Sequence, residues 1–342
     1  MCSGSDKVGP LYRDGYVEWK KNYKDYLKIK VVLDKNNQYE EEMLSNRIKY
    51  CRIVRRWIKG KYQYFAQIVL ECQPVIKYDS ETGELKHPLG FGRVGLFVGV
   101  KNIAYCSESA VGVVELADKV DDIEAERRRL LRHLERSRRA TNPDNYNEDG
   151  TIKKGVKLNW VASKEYEESR GKLKELYRKQ ADVRKLQHNI LANQLLILGD
   201  EFYINKTDYK KLQQRAEFSD GHEKTASGKN KSKKRFGKTI SDKAPSMFVN
   251  ILDNKLKQYG RPGVFKVDLK KNSSSEFVHS TGEVVEVSPY QKYIDVDGHR
   301  VRRDLYFAFL LMNSDGSFEN IDIERCNETF DRFLELQEIE VS

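Results

Sequence analysis

Three short apolar runs, Arg93–Gly99, Ile103–Ser107 and Val111–Leu116, follow one another with few residues between them, and they restrict the fold more than any other part of the chain. The first, through Val94-Gly95-Leu96-Phe97-Val98, reads as a buried strand running into a glycine-containing turn. Together the three predict a β-meander. Two long charged helices follow, roughly 117–139 and 163–198, then a short strand at Glu201–Asn205. A helix begins near Pro245, where proline suits a first turn, and a strand covers Val264–Leu269. An apolar helix over Arg302–Asn313 and an amphipathic helix over about 321–339 complete the order. A meander followed by helices with single strands between them predicts an α/β unit.

Ile123, Leu130 and Leu134 on the first charged helix recur at helical spacing, as do Leu173, Leu176, Val183, Leu186 and Ile190 on the second. The two stripes predict the seam of a helical hairpin. With 342 residues the chain can form two or three packed units. No apolar run approaches the roughly 18 residues of a membrane span, and Met1–Pro10 lacks an apolar signal core. The five cysteines are dispersed without a Cys-x-x-Cys pair, which argues against a zinc ribbon or a disulfide framework and fits a reducing cytoplasm.

The net charge of +10 is unevenly spread. Residues 47–61 hold seven Lys/Arg and no acid, 127–139 seven Arg against one Glu, and 224–238 seven Lys/Arg and no acid. Such clustering favours a polyanionic partner over general solubility. The first cluster lies on two β-prone runs, Ile48–Trp57 and Tyr62–Leu70, joined by Lys59-Gly60-Lys61 as a hairpin. Its alternation predicts one buried and one basic face, with aromatics beside the arginines. That pattern suits nucleic-acid backbone and base contacts, and it also suits charge that guards an edge strand.

The wording of four segments goes further. They are Arg47-Ile48-Lys49-Tyr50-Cys51-Arg52-Ile53-Val54-Arg55-Arg56, the run 136–155 that opens Arg136-Ser137-Arg138-Arg139-Ala140-Thr141-Asn142-Pro143, the pair Lys234-Arg235-Phe236-Gly237-Lys238 and Lys243-Ala244-Pro245, and Arg303-Asp304-Leu305-Tyr306-Phe307-Ala308-Phe309. In this order, over residue 27 to the C-terminus, they resemble the TnpB family of insertion sequences, transposon-encoded RNA-guided nucleases akin to compact type V CRISPR effectors. The resemblance implies a β-rich, wedge-like nucleic-acid-binding domain over 1–90. It implies a RuvC-like domain of RNase H fold over 91–320, with an inserted helical hairpin at 117–198 and a basic loop at 218–243, and a C-terminal helix at 321–342. The chain also reads as shortened at its N-terminus relative to that family.

The family resemblance implies two-metal phosphodiester hydrolysis with acids from three separated segments. The first acid aligns with Phe97, the second with Asn205 and the last with Asp304. A phenyl ring cannot hold magnesium, and an amide supplies no negative charge to attract it. Glu201 shares the strand face of Asn205 but lies about 13 Å away, and Asp208 comes after the strand. Bound magnesium is therefore expected to be lost, and no cysteine in 270–300 offers the zinc ribbon many relatives carry. No cofactor is expected. Arg52, Arg55, Arg56, Arg136, Arg138, Arg139, Lys233, Lys234 and Arg235 are the expected phosphate contacts. The resulting expectation is a cytoplasmic, prokaryotic protein that binds guide RNA and a double-stranded DNA target without cutting, as a repressor would. A decayed transposon remnant and a still-active endonuclease stay open beside it.

Overall fold

The computed structural model describes residues 9–20, 25–34, 38–72, 76–79, 81–213, 236–268, 277–285, 288 and 291–341. It is a mixed α/β structure in which the chain divides into two compact units: 1–75 with 121–181, and 76–120 with 182–342. The division expected from sequence, with boundaries at 90 and 320, is drawn differently by these contacts. Most of the helical hairpin belongs with the first segment, and the last helix belongs with the second unit.

In the first unit β1 (Leu11–Arg13), β2 (Tyr16–Lys20) and β3 (Tyr26–Lys30) form an antiparallel sheet. Asp14-Gly15, both at positive φ, make the tight turn between β1 and β2. After α1 (Gln38–Leu44) come β4 (Ile48–Ile58) and β5 (Lys61–Leu70), a long antiparallel hairpin turned by Lys59-Gly60, again both at positive φ. Helix α2 spans Glu124–Thr141 and α3 spans Lys164–Leu196. The start expected at 117 is replaced by a turn, with Ala117 at φ 45°. The helix instead begins where the Asp122 carboxylate accepts the Glu124 N–H at 2.9 Å.

In the second unit β6 (Arg93–Val98), β7 (Asn102–Ser107) and β8 (Val111–Glu115) form the expected antiparallel meander. The strand β9 (Glu201–Asn205) runs parallel to β6, and β10 (Val264–Val267) runs parallel to β9. The sheet order is β10-β9-β6-β7-β8. Two short helices, α4 (Tyr209–Gln213) and α5 (Gly237–Lys243), precede α6 (Pro245–Gln258). A further hairpin, β11 (Tyr293–Val296) and β12 (His299–Arg302), leads into α7 (Arg303–Met312), and α8 (Ile323–Val341) ends the fold. That hairpin was not expected from the polar stretch 270–300.

Helices cover both faces of the sheet. On one face Val94, Leu96 and Val98 meet the end of α3 and α6 through Leu195, Leu196, Phe248 and Leu252, all essentially buried. On the other, α7 and α8 pack Leu305, Phe309, Phe330 and Phe333 over Ala104 and Cys106. The seam expected along α3 is only half realised. Leu173 and Leu176 are half-buried, whereas Val183, Leu186 and Ile190 are exposed, Leu186 by 61%.

The junction between α3 and α5 carries a titratable anchor. Arg184 Nη1 donates to the Ser241 and Asp242 carbonyls at 2.6 and 3.2 Å, and His188 Nε2–H donates to the Lys243 carbonyl at 2.9 Å. These donors satisfy the carbonyls left open at the end of α5. His188 is fully buried, its Nδ1 has no partner among the described residues, and burial lowers its pKa. The neutral ring is therefore favoured by folding, so its contribution is complete above the unfolded value of about 6.5 and is lost as pH falls below it. Thermal melts between pH 7.5 and 5 should show this loss. His188→Gln, which keeps a donor for the Lys243 carbonyl but does not titrate, should flatten it.

Candidate nucleic-acid interface

Three features place Phe97, Asn205 and Asp304 around one end of the sheet. Phe97 and Asn205 sit at the C-terminal ends of the neighbouring parallel strands β6 and β9. Helix α7 crosses β6 in the opposite sense: Arg93, at the start of the strand, donates to the Met312 and Ser314 carbonyls at 3.4 and 3.1 Å. Farther along, the Phe307 ring meets Phe97 edge-on at 5.1 Å. Asp304 is one helical turn beyond Phe307, at the N-terminus of α7, and is half-buried. Phe97, Asn205 and Asp304 therefore lie around the same end of the sheet.

What they hold there is packing and hydrogen bonding. The Phe97 ring joins Phe265, Phe307 and Phe318 around buried Tyr203, Val267 and Leu311. The Asn205 amide is tied to the β6 backbone: Oδ1 accepts the Val98 N–H at 2.7 Å and Nδ2 faces the Val98 carbonyl at 3.4 Å. Nδ2 also donates to Thr207 Oγ1 at 2.5 Å. The side chain thereby continues the β6–β9 ladder beyond its last backbone pair, Leu96 with Ile204. Only a group with both a donor and an acceptor can do this, and a carboxylate has no donor at neutral pH.

The acids that flank β9 are committed elsewhere. Glu201 accepts the Tyr203 hydroxyl at 2.9 Å and lies 3.6 Å from Arg93, and Asp208 accepts the Lys211 N–H at 3.0 Å. Buried Asp200 pairs with Arg261 at 2.6 Å and accepts the Gly92 N–H at 2.9 Å. Among the described residues no three His, Cys, Asp or Glu side chains are grouped to hold a metal ion. One carboxylate, a tethered amide and a phenyl ring do not fit a pair of hard divalent cations.

The expected phosphate contacts fall into different environments. On β4–β5 the register puts Tyr50, Arg52, Val54 and Arg56 on one face with Val69, Gln67, Phe65 and Gln63 opposite them. Arg55 is on the other face, where its guanidinium lies 4.3 Å from the Tyr62 ring centroid. That second face leans on α3: Trp57 meets Tyr62 edge-on at 4.7 Å, and a Cβ on Gly171 would come within 3.0 Å of the Trp57 ring. Arg52 and Arg56 are exposed, and neither makes an ion pair among the described residues.

On α2 most arginines are neutralised locally. Arg127 and Arg128 pair with Glu124 and hold its carboxyl down at about 2, and Arg129 pairs with Glu126. Arg138 and Arg139 share Glu135 at 2.5 and 3.1 Å and stack on Trp160 and Tyr146. They brace the loop after α2, whose ends are also joined by buried Asn142: its Nδ2 donates to the Val161 carbonyl at 2.9 Å and its Oδ1 accepts the Val161 N–H at 2.7 Å. Arg136 and Arg132 are exposed and have no ion pair among the described residues. Arg132 was not among the expected contacts. The signal was present, because each Glu on α2 has arginines three or four residues later and only 132 and 136 fall outside that spacing. Lys233, Lys234 and Arg235 lie outside the described residues.

No protein-family model and no curated protein matches this chain. No helix among the described residues is long and apolar enough to cross a membrane.

Proposed function

We propose that this protein is an RNA-guided DNA-binding protein of the TnpB type that holds its target without cutting it. The order β10-β9-β6-β7-β8, with a meander followed by two parallel strands, supports an RNase H-like, RuvC-type reading of the second unit. The observation that carries the proposal is a contrast. The positions aligned on the metal-binding acids are filled by the Phe97–Phe307 contact and the Asn205–Val98 clamp, while Arg52, Arg56, Arg132 and Arg136 remain exposed and unpaired among the described residues. In this mode guide pairing supplies the sequence, and the protein contributes cations that hold the nucleic-acid backbone. A tightly held complex without hydrolysis blocks access to the DNA, which is how a repressor acts.

The test is to purify the full chain from cells that also express its flanking genomic sequence, and to sequence the RNA that comes with it. A discrete RNA should be enriched, should bind more weakly as salt rises, and should direct binding to matching DNA without magnesium-dependent cleavage. Recovery of no discrete RNA overturns the reading, and guided cleavage overturns its second half.

A further inference from the structure

The outward face of the β4–β5 hairpin carries more than charge. Tyr50 and Phe65 are 43% and 42% exposed, on the same face as Arg52 and Arg56. Each ring has a guanidinium against it: Arg52 over Tyr50 at 4.7 Å, with Nη2 donating to the Tyr50 hydroxyl at 2.6 Å, and Arg56 over Phe65 at 5.7 Å. On β5 Gln67 stands opposite Arg52 and Gln63 opposite Arg56, so this stretch of the face contains no acid. Tyr50 and the Val54–Phe65 pair are four residues apart along β4, or about 13 Å, with Arg52 between the rings.

Charge that only guards an edge strand needs no exposed aromatic rings beside it. Charge that only tracks a duplex backbone needs none either, because the bases of a duplex are already stacked on one another. Ring faces and planar guanidinium groups spaced along a ribbon match the requirements of a strand whose bases are free to stack. We infer that this face binds an unpaired stretch of nucleic acid, with bases stacking on Tyr50, Phe65 and their guanidinium partners and the phosphates lying near Arg52 and Arg56. The inference rests on the nucleic-acid-binding function proposed above and adds to it the form of nucleic acid that this surface takes.

Fluorescence anisotropy of the full chain can test this with a labelled 12-nucleotide RNA of mixed sequence, the DNA strand of the same sequence, and each annealed to its complement. The unmodified chain should bind at least one of the single strands about tenfold or more tightly than its duplex. Which single strand binds better, RNA or DNA, identifies the source of the unpaired stretch. Tyr50→Leu combined with Phe65→Leu should weaken the single-strand complex by roughly tenfold to a hundredfold while leaving the duplex complex and the slope of affinity against salt unchanged. Tyr50→Phe, which keeps the ring, should retain binding. Circular dichroism and thermal melts identify variants that fail to fold, and for those the single-strand preference of the unmodified chain decides the matter. Equal affinity for duplex and single strand, or no effect of removing both rings from a folded variant, overturns the stacking inference alone. Absence of binding to every probe overturns it together with the function on which it rests.

Discussion

Placing acids at both positions, as Phe97→Asp with Asn205→Glu, is expected to destabilise the protein by roughly 4 kcal/mol in the absence of divalent metal. The Asn205 amide makes bonds that glutamate cannot, and glutamate at this position would set a carboxylate against the Val98 carbonyl. Leaving such groups unsatisfied in a half-buried site costs about 1–3 kcal/mol. Phe97→Asp removes the ring from Phe307 and places a charge against the apolar cluster of Tyr203, Val267 and Leu311. Loss of a packed aromatic side chain costs about 3 kcal/mol or more where it is fully buried, and less at this half-buried position. The two sites are neighbours across β6 and β9, so their effects should not add simply. If the three positions are descended from a metal site, millimolar magnesium should raise the melting temperature of the double variant, because three carboxylates would then repel one another until a cation binds. The unmodified chain should show no such rise. Denaturant melts with and without magnesium measure both effects. A double variant as stable as the parent and indifferent to magnesium would show that positions 97, 205 and 304 do not form a site.

The sequence exposed the sheet well because its strands are short and apolar with short polar or glycine-containing breaks between them, and because their chain order leaves few ways to arrange a meander and two later strands. It singled out Phe97, Asn205 and Asp304 only through resemblance. Nothing local to Asn205 indicates that its amide closes on Val98, since the two residues are 107 positions apart. Periodicity showed that Val183, Leu186 and Ile190 share a helix face, but a period carries no information about whether another element covers that face. The β1–β2 and β11–β12 hairpins turn at Asp14-Gly15 and Asp297-Gly298, where all four residues have positive φ. That pairing is a strong hairpin signal, and it was obscured by polar strands that lack an apolar alternation. The arginines show the same division. Glu–Arg spacing along α2 made Arg127 to Arg129 readable as internal pairs, whereas the stacking of Arg138 on Trp160 depends on a loop whose return path the sequence does not reveal.

Gly95→Ala is expected to prevent stable folding of the second unit, or to lower its stability by more than about 3 kcal/mol. A Cβ at this position would lie 1.9 Å from the Ala308 carbonyl oxygen and 2.5 Å from the Met312 N–H nitrogen. Both are backbone atoms of α7, so no side chain can rotate away to relieve the contact. The helix would have to lift from β6, separating fully buried Leu305, Ala308 and Phe309 from the sheet. A domain stabilised by about 5–15 kcal/mol has little margin for that displacement. Glycine inside a strand often marks such a close backbone approach, which gives this residue a reason that its flexibility does not. The contact also fixes the register in which α7 crosses β6, and that register sets Phe307 on Phe97 and carries Asp304 past it to the end of the strand. Ala308→Gly cannot compensate, because the obstructing atoms belong to the backbone. Circular dichroism melts of Gly95→Ala, Gly95→Ser and the Gly95→Ala/Ala308→Gly pair should therefore show comparable losses. Recovery in the pair would mean that α7 can shift along β6, and the convergence of Phe97, Asn205 and Asp304 would then be a variable feature of the fold.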